Sequence, residues 1–248
     1  MPQPYAPVKF GLVWDLEQRH WVHWDGNTQS PLGRNILAAL GLGAPLTGHH
    51  GGLDFVLVKR QTDLSEKIRA PRYPFAIDEA AAKRGAAHFA AQCASCHAGP
   101  EGDQRLHDPA EIGTEPNRAR AFTPAQAGLF NKFFAELETP GYVPPKVAPI
   151  RGTGKYFAAT LAGVWARSPY LHNGSVRTMQ NLLTPPVARA KTFRRGSRTF
   201  DAKAMGYADE GAHVLDTTAT GNSNAGHDYG TGLPEEQRRE LIEFLKTL

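Results

Sequence analysis

Three residues able to support cofactor chemistry stand together in the sequence. Cys93 and Cys96 are the two cysteines of the chain, and His97 follows the second one directly. The pattern Cys-x-x-Cys-His is the attachment signature of a c-type haem. Each thiol can form a thioether with one vinyl group of the porphyrin, and the adjacent imidazole can bind the iron. We therefore predict covalent attachment at Cys93 and Cys96, with His97 as the proximal ligand.

Two other kinds of site use the same cysteine spacing. A zinc site needs four ligands, and the sequence contains no second Cys-x-x-Cys. A thioredoxin-like redox pair normally opens a helix after a strand, whereas this motif follows a helical pattern. The haem interpretation is therefore favoured over both.

A helix and a partner helix must hold the motif in place. The segment Ile77–Gln92 is alanine-rich, with Asp78 and Glu79 in its first turn, where acidic side chains interact well with the helix dipole. Its face at spacing four carries small residues beside Phe89, which lets a second helix approach closely. The amphipathic segment Pro234–Leu248 is the predicted partner. A crossing of these helices beside Cys-x-x-Cys-His resembles the core of the class I cytochrome c fold.

Shorter elements and long loops are predicted elsewhere. Helices are expected over Leu32–Leu40, Leu64–Ala70, Thr123–Leu137 and Ser175–Leu183, and loops over Thr47–Gly52, Pro140–Gly152 and residues 186–232. We expect Ser30 and Ser175 to cap the first and last of these helices. The rigid linker Pro71–Pro74 marks a domain boundary. The predicted fold is mainly α, a class I cytochrome c domain with long loops.

Composition excludes some functions. The 248 residues are 41% hydrophobic and carry a formal net charge of +4. The charge is not concentrated in one run, so nucleic-acid binding is not predicted. No stretch reaches the roughly 18 apolar residues that a membrane span needs. Met1–Tyr5 lacks the features of a signal peptide, although bacterial haem c attachment follows export, so we expect the chain to begin downstream of a longer protein's start.

Several stretches resemble the bacterial di-haem cytochrome c peroxidase superfamily, and within it the rubber-oxygenase-like subgroup. They are Arg84–His97, Ile112–Arg118 and Leu161–Val176, the last of which contains Pro-Tyr-x-His-Asn-Gly. The resemblance implies that residues 73–248 are the C-terminal haem domain of such a protein. Tyr156–Thr160 departs from the family pattern, because the basic residue and proline usual there are absent.

The N-terminal part carries a further resemblance. Trp24-Asp25-Gly26 is similar to a Trp-Asp-Gly motif of that family's N-terminal haem domain, where the tryptophan can carry electrons between haems. The resemblance implies that residues 1–72 are a partial cytochrome-like domain, the remnant of an N-terminal haem domain without its haem motif. From the residues alone, Trp14, Trp21 and Trp24 can equally be core aromatics.

The sixth iron ligand has several candidates. They are Met179, Met205, His172, His213 and His227, with His49 and His50 further away. His227 stands in a glycine-rich stretch that resembles the family's distal-histidine segment, so we favour it as the second axial ligand. Met205, Tyr156 and the absence of a sixth ligand stay open as alternatives.

The resemblance also assigns residues around the porphyrin. It implies that His172 supports the haem pocket by hydrogen bonding and does not bind the iron. It implies too that Tyr170 and Trp165 pack against the porphyrin. All three residues belong to the stretch Leu161–Val176.

These features predict a c-type cytochrome with one covalent haem, which exchanges electrons with a redox partner of unknown identity. With His97 and His227 on the iron, no position is left for peroxide or oxygen, which argues against catalysis. The alternative is part of a di-haem peroxidase or oxygenase, with an unknown substrate, in which this haem relays electrons to a catalytic haem encoded elsewhere. A third possibility is a fragment that never receives haem. The haem motif implies a periplasmic or otherwise exported protein.

Overall fold

The computed structural model describes residues 5–44, 53–98, 105–136 and 149–248. The predicted loop Thr47–Gly52, with His49 and His50, lies outside these residues, as does most of Pro140–Gly152. Eight α-helices occur in the described ranges. They are α1 Pro31–Gly41, α2 Phe55–Glu66, α3 Glu79–Gln92, α4 Ala94–His97, α5 Asn117–Arg120, α6 Pro124–Glu136, α7 Met179–Leu182 and α8 Glu235–Leu245. None of the described helices is long and apolar enough to cross a membrane.

The helices α3 and α8 cross closely, as the sequence predicted. The Asp78 carboxylate accepts a hydrogen bond from the Ala81 amide (2.9 Å), so α3 begins after Asp78 and not at Ile77. Gly85 lies at the crossing, where its backbone is pressed against the carbonyl of Glu240. Beside it, the rings of Phe89 and Phe244 lie 5.0 Å apart. The small residue allows the close approach, and the aromatic pair fills the space next to it.

The buried carboxylate of Glu240 links the two helices electrostatically. It accepts hydrogen bonds from Arg84 and, at 2.9 Å, is paired with His88 Nε2. The hydrogen bonds from Arg84 and His88 lower the pKa of Glu240. A carboxylate held by two donors on the neighbouring helix fixes the register of the crossing.

The shorter helices confirm some predictions and correct others. Ser30 caps α1 by accepting from the Gly33 amide (2.9 Å), and α6 matches the prediction within a residue or two at each end. Of the helical turn expected at Leu64–Ala70, only Leu64–Glu66 is helical, as the end of the longer helix α2. The helix expected over Ser175–Leu183 is only α7, and Thr178 caps it in place of Ser175. The chain before Thr178 is extended, because Val176 pairs with Tyr170 in an antiparallel bridge.

Short strand pairs occupy part of the region expected to be irregular. Antiparallel pairs join β3 Thr192–Arg195 to β6 His213–Asp216, and β4 Phe200–Asp201 to β5 Gly206–Tyr207. A further pair joins β1 Leu106–His107 to β2 Tyr156–Phe157. The described fold therefore mixes helices with three two-stranded sheets, and the expectation of a mainly α fold is met only in part. These strands are too short to show an alternation of apolar and polar residues, so the sequence did not predict them.

The N-terminal segment packs along the C-terminal part of the chain. The Lys9 amide donates to His172 O (2.8 Å), and the indole of Trp14 donates to Ala162 O (2.8 Å). The buried carboxylate of Asp25 pairs with Arg118 (2.9 Å). These contacts tie residues 9–25 to the segments that follow the Cys-x-x-Cys-His motif. The boundary near residue 72 stays a prediction.

The helix crossing leads to a stability prediction for Gly85. A Cβ at this position would overlap the backbone carbonyl of Glu240. We expect Gly85→Ala to lower the free energy of unfolding by about 3 kcal/mol, measured by urea unfolding.

Gly128 in α6 offers the matched control. A Cβ there meets no atom of the described residues within 4 Å, so Gly128→Ala should raise the free energy of unfolding by up to about 1 kcal/mol. Equal effects of the two substitutions would contradict the close crossing.

Candidate haem-binding site

A largely apolar cavity lies where the Cys-x-x-Cys-His turn meets the C-terminal loops. It opens to solvent on one side, and its lining includes Leu161, Val164 and Leu182. Cys93, Cys96 and His97 line one part of it, and His227 lines another. The predicted attachment residues and the favoured distal histidine therefore share one cavity.

The short helix α4 shapes the attachment turn. The amides of Cys96 and His97 donate to Cys93 O at 3.1 and 2.9 Å, which folds the motif into a single turn. Nδ1 of His97 lies 2.9 Å from Ala159 O. A proton on Nδ1 satisfies that carbonyl and leaves Nε2 with a lone pair. This backbone contact is the usual way in which a protein orients a metal-binding histidine.

His97 and His227 face each other at a distance suited to one metal ion. Their ring centres are 6.4 Å apart, with 44° between the ring planes. Two metal–imidazole bonds of about 2 Å, plus roughly 1 Å from each nitrogen to its ring centre, sum to about 6 Å. The pair therefore fits an iron held between the two imidazoles.

The backbone around His227 holds it in an uncommon conformation. Its φ is +52°, and its amide donates to Ile112 O (2.9 Å). Gly226 precedes it with φ +79°, and a Cβ there would overlap the backbone of Gly113. The absence of a side chain at Gly226 thus allows two backbone segments to touch.

Arg189 also fixes the loop that carries His227, and sequence reasoning did not identify it. Its buried guanidinium donates to Asn224 O (2.6 Å) and Gly226 O (2.8 Å), and more weakly to His227 O (3.4 Å). Further hydrogen bonds go to Leu182 O and Thr184 O, at 2.9 and 3.0 Å. An arginine in a loop that donates hydrogen bonds to five backbone carbonyls leaves no periodic pattern in the sequence.

The surroundings of His227 keep its imidazole neutral. Burial, then the nearby His97 and Arg189, lower its pKa to about 4. Its Nδ1 is buried and has no hydrogen-bond partner among the described residues. A neutral imidazole is the form that binds a metal, so His227 fits the role of an axial ligand.

The two cysteines lie in the cavity as free thiols. Burial and the neighbouring Cys96 raise the pKa of Cys93 to about 11. Redox-active Cys-x-x-Cys pairs depend on a lowered thiol pKa, so the environment of Cys93 does not favour that alternative.

The competing ligands are poorly placed. Met205 is fully buried in the core and does not line the cavity, while its carbonyl accepts from the Tyr170 hydroxyl (3.0 Å). Tyr156 lines the cavity, but its hydroxyl donates to Glu115 O (2.8 Å), accepts from the Ala119 amide (3.1 Å) and lies 3.1 Å from His172. Met179, the other methionine candidate, is packed in the core cluster and also lines the cavity.

The residues expected around the porphyrin divide into two groups. Tyr170 and His172 are buried and line the cavity. His172 stacks on Tyr156, with ring centres 4.6 Å apart, and burial followed by repulsion from Arg118 lowers its pKa to about 3. Trp165 is not in the cavity lining: its indole donates to Pro71 O (2.8 Å), and its ring meets Tyr73 and Phe200. The predicted contact of Trp165 with the porphyrin is therefore not supported by its position.

The contact between Gly226 and Gly113 generates a testable prediction. Gly226→Ala adds a Cβ that overlaps the Gly113 backbone and disfavours the positive φ, so we expect unfolding to become easier by about 2 kcal/mol or more. Gly232→Ala is the control, because a Cβ at Gly232 meets nothing within 4 Å, and it should change stability by about 0.5 kcal/mol or less. Chemical unfolding of both variants measures the difference, and a Gly226→Ala protein as stable as wild type would refute this packing.

Comparison with known families gives matches for two segments that contribute residues to the cavity. Residues 154–194 match the family described as RoxA-like, cytochrome c-like. Residues 80–133 match the family described as cytochrome C oxidase, cbb3-type, subunit III. The first match covers Tyr156, Tyr170 and His172, and the second covers the Cys-x-x-Cys-His motif.

Two curated relatives align with nearly the whole chain. Both are uncharacterized proteins of Sinorhizobium fredii (strain NBRC 101917 / NGR234), y4iM at 32% identity and y4iJ at 29% identity, each over 98% of this chain. The chain spans 65% of the length of the first and 55% of the second. The family matches confirm the predicted resemblance of these two segments to cytochrome c sequences, and the cofactor that such domains imply is haem c.

Proposed function

We propose that this chain is a c-type cytochrome that carries one covalent haem and transfers electrons. Cys93 and Cys96 provide the thioether sulfurs, and His97 and His227 are the axial ligands. The observation that carries the proposal is the pair of imidazoles, 6.4 Å between ring centres, in a cavity that the two thiols also line.

Two firmly held axial ligands suit the proposed site to electron transfer and not to catalysis. A bound haem supplies an iron that cycles between Fe(III) and Fe(II). Ala159 orients His97 and Arg189 holds the loop of His227, so both imidazoles are fixed before and after the electron moves. Two fixed ligands leave no open coordination position for peroxide or oxygen.

Tyr170 and His172 form the rigid wall of the proposed haem pocket. The Tyr170 hydroxyl is bonded inside the core, so only its ring is available to a porphyrin. His172 stays neutral at ordinary pH, because its pKa is lowered to about 3 by burial and by Arg118. It supports Tyr156 through a hydrogen bond and stacking, in keeping with a role in shaping the pocket.

A second candidate function is electron relay inside a larger di-haem peroxidase or oxygenase. The observation that favours it is Trp24, whose ring lines the haem cavity although it belongs to the N-terminal segment. Its indole donates to Lys9 O (3.1 Å), which holds the ring at the cavity wall. In this version residues 1–72 are the remnant of a haem domain, and electrons leave through Trp24 towards a catalytic haem outside the chain.

The proposed cofactor also implies a cellular location. Covalent haem attachment takes place after export in bacteria, so we propose a periplasmic location and an exchange of electrons with another exported redox protein. The identity of that partner does not follow from the site.

Replacement of His227 tests the axial assignment. The wild-type protein is expressed with an export leader in a host that attaches haem c. It should show a six-coordinate, low-spin spectrum that peroxide leaves unchanged. His227→Ala should become high-spin and bind carbon monoxide or peroxide, because one axial position opens. Visible spectroscopy measures both properties.

His213 provides the control for His227. It is exposed on β6, away from the cavity lining, so His213→Ala should keep the wild-type spectrum. An unchanged spectrum in His227→Ala would remove His227 as a ligand. A colourless wild-type product would refute the cytochrome assignment altogether.

Single cysteine replacements test the covalent attachment. We expect Cys93→Ala and Cys96→Ala each to leave one thioether, and the double replacement to release the haem on acid–acetone extraction. Pyridine haemochrome spectra distinguish two, one and no thioether bonds. Haem that stays bound through the extraction of the double variant would contradict attachment at this motif.

A further inference from the structure

A second cavity adjoins the haem cavity and is lined by many cations. The residues shared by the two linings are Lys9, Trp24, Phe157, Ala159 and Arg167. Arg19, Arg34 and Arg118 complete the charged lining on its far side. The wall between the cavities therefore has two cations of its own, Lys9 and Arg167.

Lys9 is held firmly in this wall. Its ammonium donates to the carbonyls of Arg167 and Pro169, the latter at 2.5 Å, and lies 5.7 Å from the centre of the Trp24 ring. Burial and repulsion from Arg167 and Arg195 lower the pKa of Lys9 to about 6. Lys9 is therefore mostly uncharged near pH 7 until a nearby anion raises its pKa again.

Arg167 and Arg19 share this unfavourable environment. Arg167 donates to Thr160 O (3.3 Å), and its guanidinium lies 5.3 Å from the centre of the Trp24 ring. Burial lowers the pKa of Arg167, and burial followed by repulsion from Arg167 lowers that of Arg19. Nε and Nη2 of Arg19 are buried without hydrogen-bond partners among the described residues.

The described carboxylates do not balance these charges. Asp25 is engaged by Arg118 (2.9 Å), and Asp15 is 3.8 Å from Arg69 while also attracting Arg19. Within the described ranges, Lys9 and Arg167 form no ion pair with a carboxylate. Buried cations without a counter-charge are strongly destabilising, so their arrangement indicates an anion that binds between them.

We propose that Lys9 and Arg167, supported by Arg19, form a carboxylate-binding site at the wall shared by the two cavities. The inference rests on the proposed haem site, because a haem carries two propionate carboxylates on the edge opposite its thioether bonds. The same chemistry would also recognise a small free carboxylate that enters through the second cavity. Lys9 and Arg167 hold the carboxylate by charge-assisted hydrogen bonds, beside the Trp24 ring that lines both cavities.

Charge-removing variants of the haem-loaded protein test the site. We choose Lys9→Met and Arg167→Gln, with exposed Lys203→Met and Arg198→Gln as matched controls. Loss of a cation beside the haem favours Fe(III), so both site variants should have a lower reduction potential than wild type, and the controls should not. Lys9→Arg keeps the charge and should keep the wild-type potential, which separates charge from packing.

A citrate titration distinguishes the two sources of carboxylate. If propionates occupy the site, the potentials shift as described, and citrate stabilises wild type no more than chloride of equal ionic strength. If the ligand is a free carboxylate, citrate raises the melting temperature of wild type, and Lys9→Met and Arg167→Gln lose that rise. Either result supports the carboxylate site.

The site is refuted if the potentials and the citrate response of both variants match those of the controls. This outcome leaves the haem assignment intact, because a low-spin spectrum is measured in the same samples. Absence of covalent haem from wild type would instead refute the proposed function, and the citrate titration would still decide whether the site binds carboxylates.

Discussion

The close crossing of α3 and α8 is the constraint on which the proposed haem site depends. The helix α3 runs directly into Cys93, and α8 begins a few residues after His227. Because Gly85 brings the two backbones into contact, the crossing fixes the chain on one side of each segment that carries a proposed ligand. Local contacts within each segment then place the two imidazole centres 6.4 Å apart.

The local contacts differ between the two proposed ligands. His97 sits in a short helical turn, and its Nδ1 contacts Ala159 O. His227 sits in a loop, and its position depends on a positive φ, the contact of Gly226 with Gly113, and the guanidinium of Arg189. The loop that carries His227 is therefore held by backbone packing and hydrogen bonds, and not by a helix.

The sequence was most informative where chemistry or periodicity is local. The motif Cys93–His97, the helices on either side of the crossing and the cap at Ser30 could all be predicted, since each depends on neighbouring residues. The short strand pairs and the role of Arg189 could not, because they depend on contacts between distant segments. Trp165 was expected in the haem pocket from resemblance alone, and packing against Tyr73 and Phe200 places it elsewhere.

X-ray absorption at the iron edge of the oxidised protein tests the central claim most directly, because it reports which atoms bind the metal. The account predicts a first shell made only of nitrogen, from the porphyrin and from the imidazoles of His97 and His227. A sulfur atom in that shell would indicate a methionine ligand and contradict the assignment of His227. A five-coordinate iron would contradict it as well, and would reopen the haem to peroxide or oxygen.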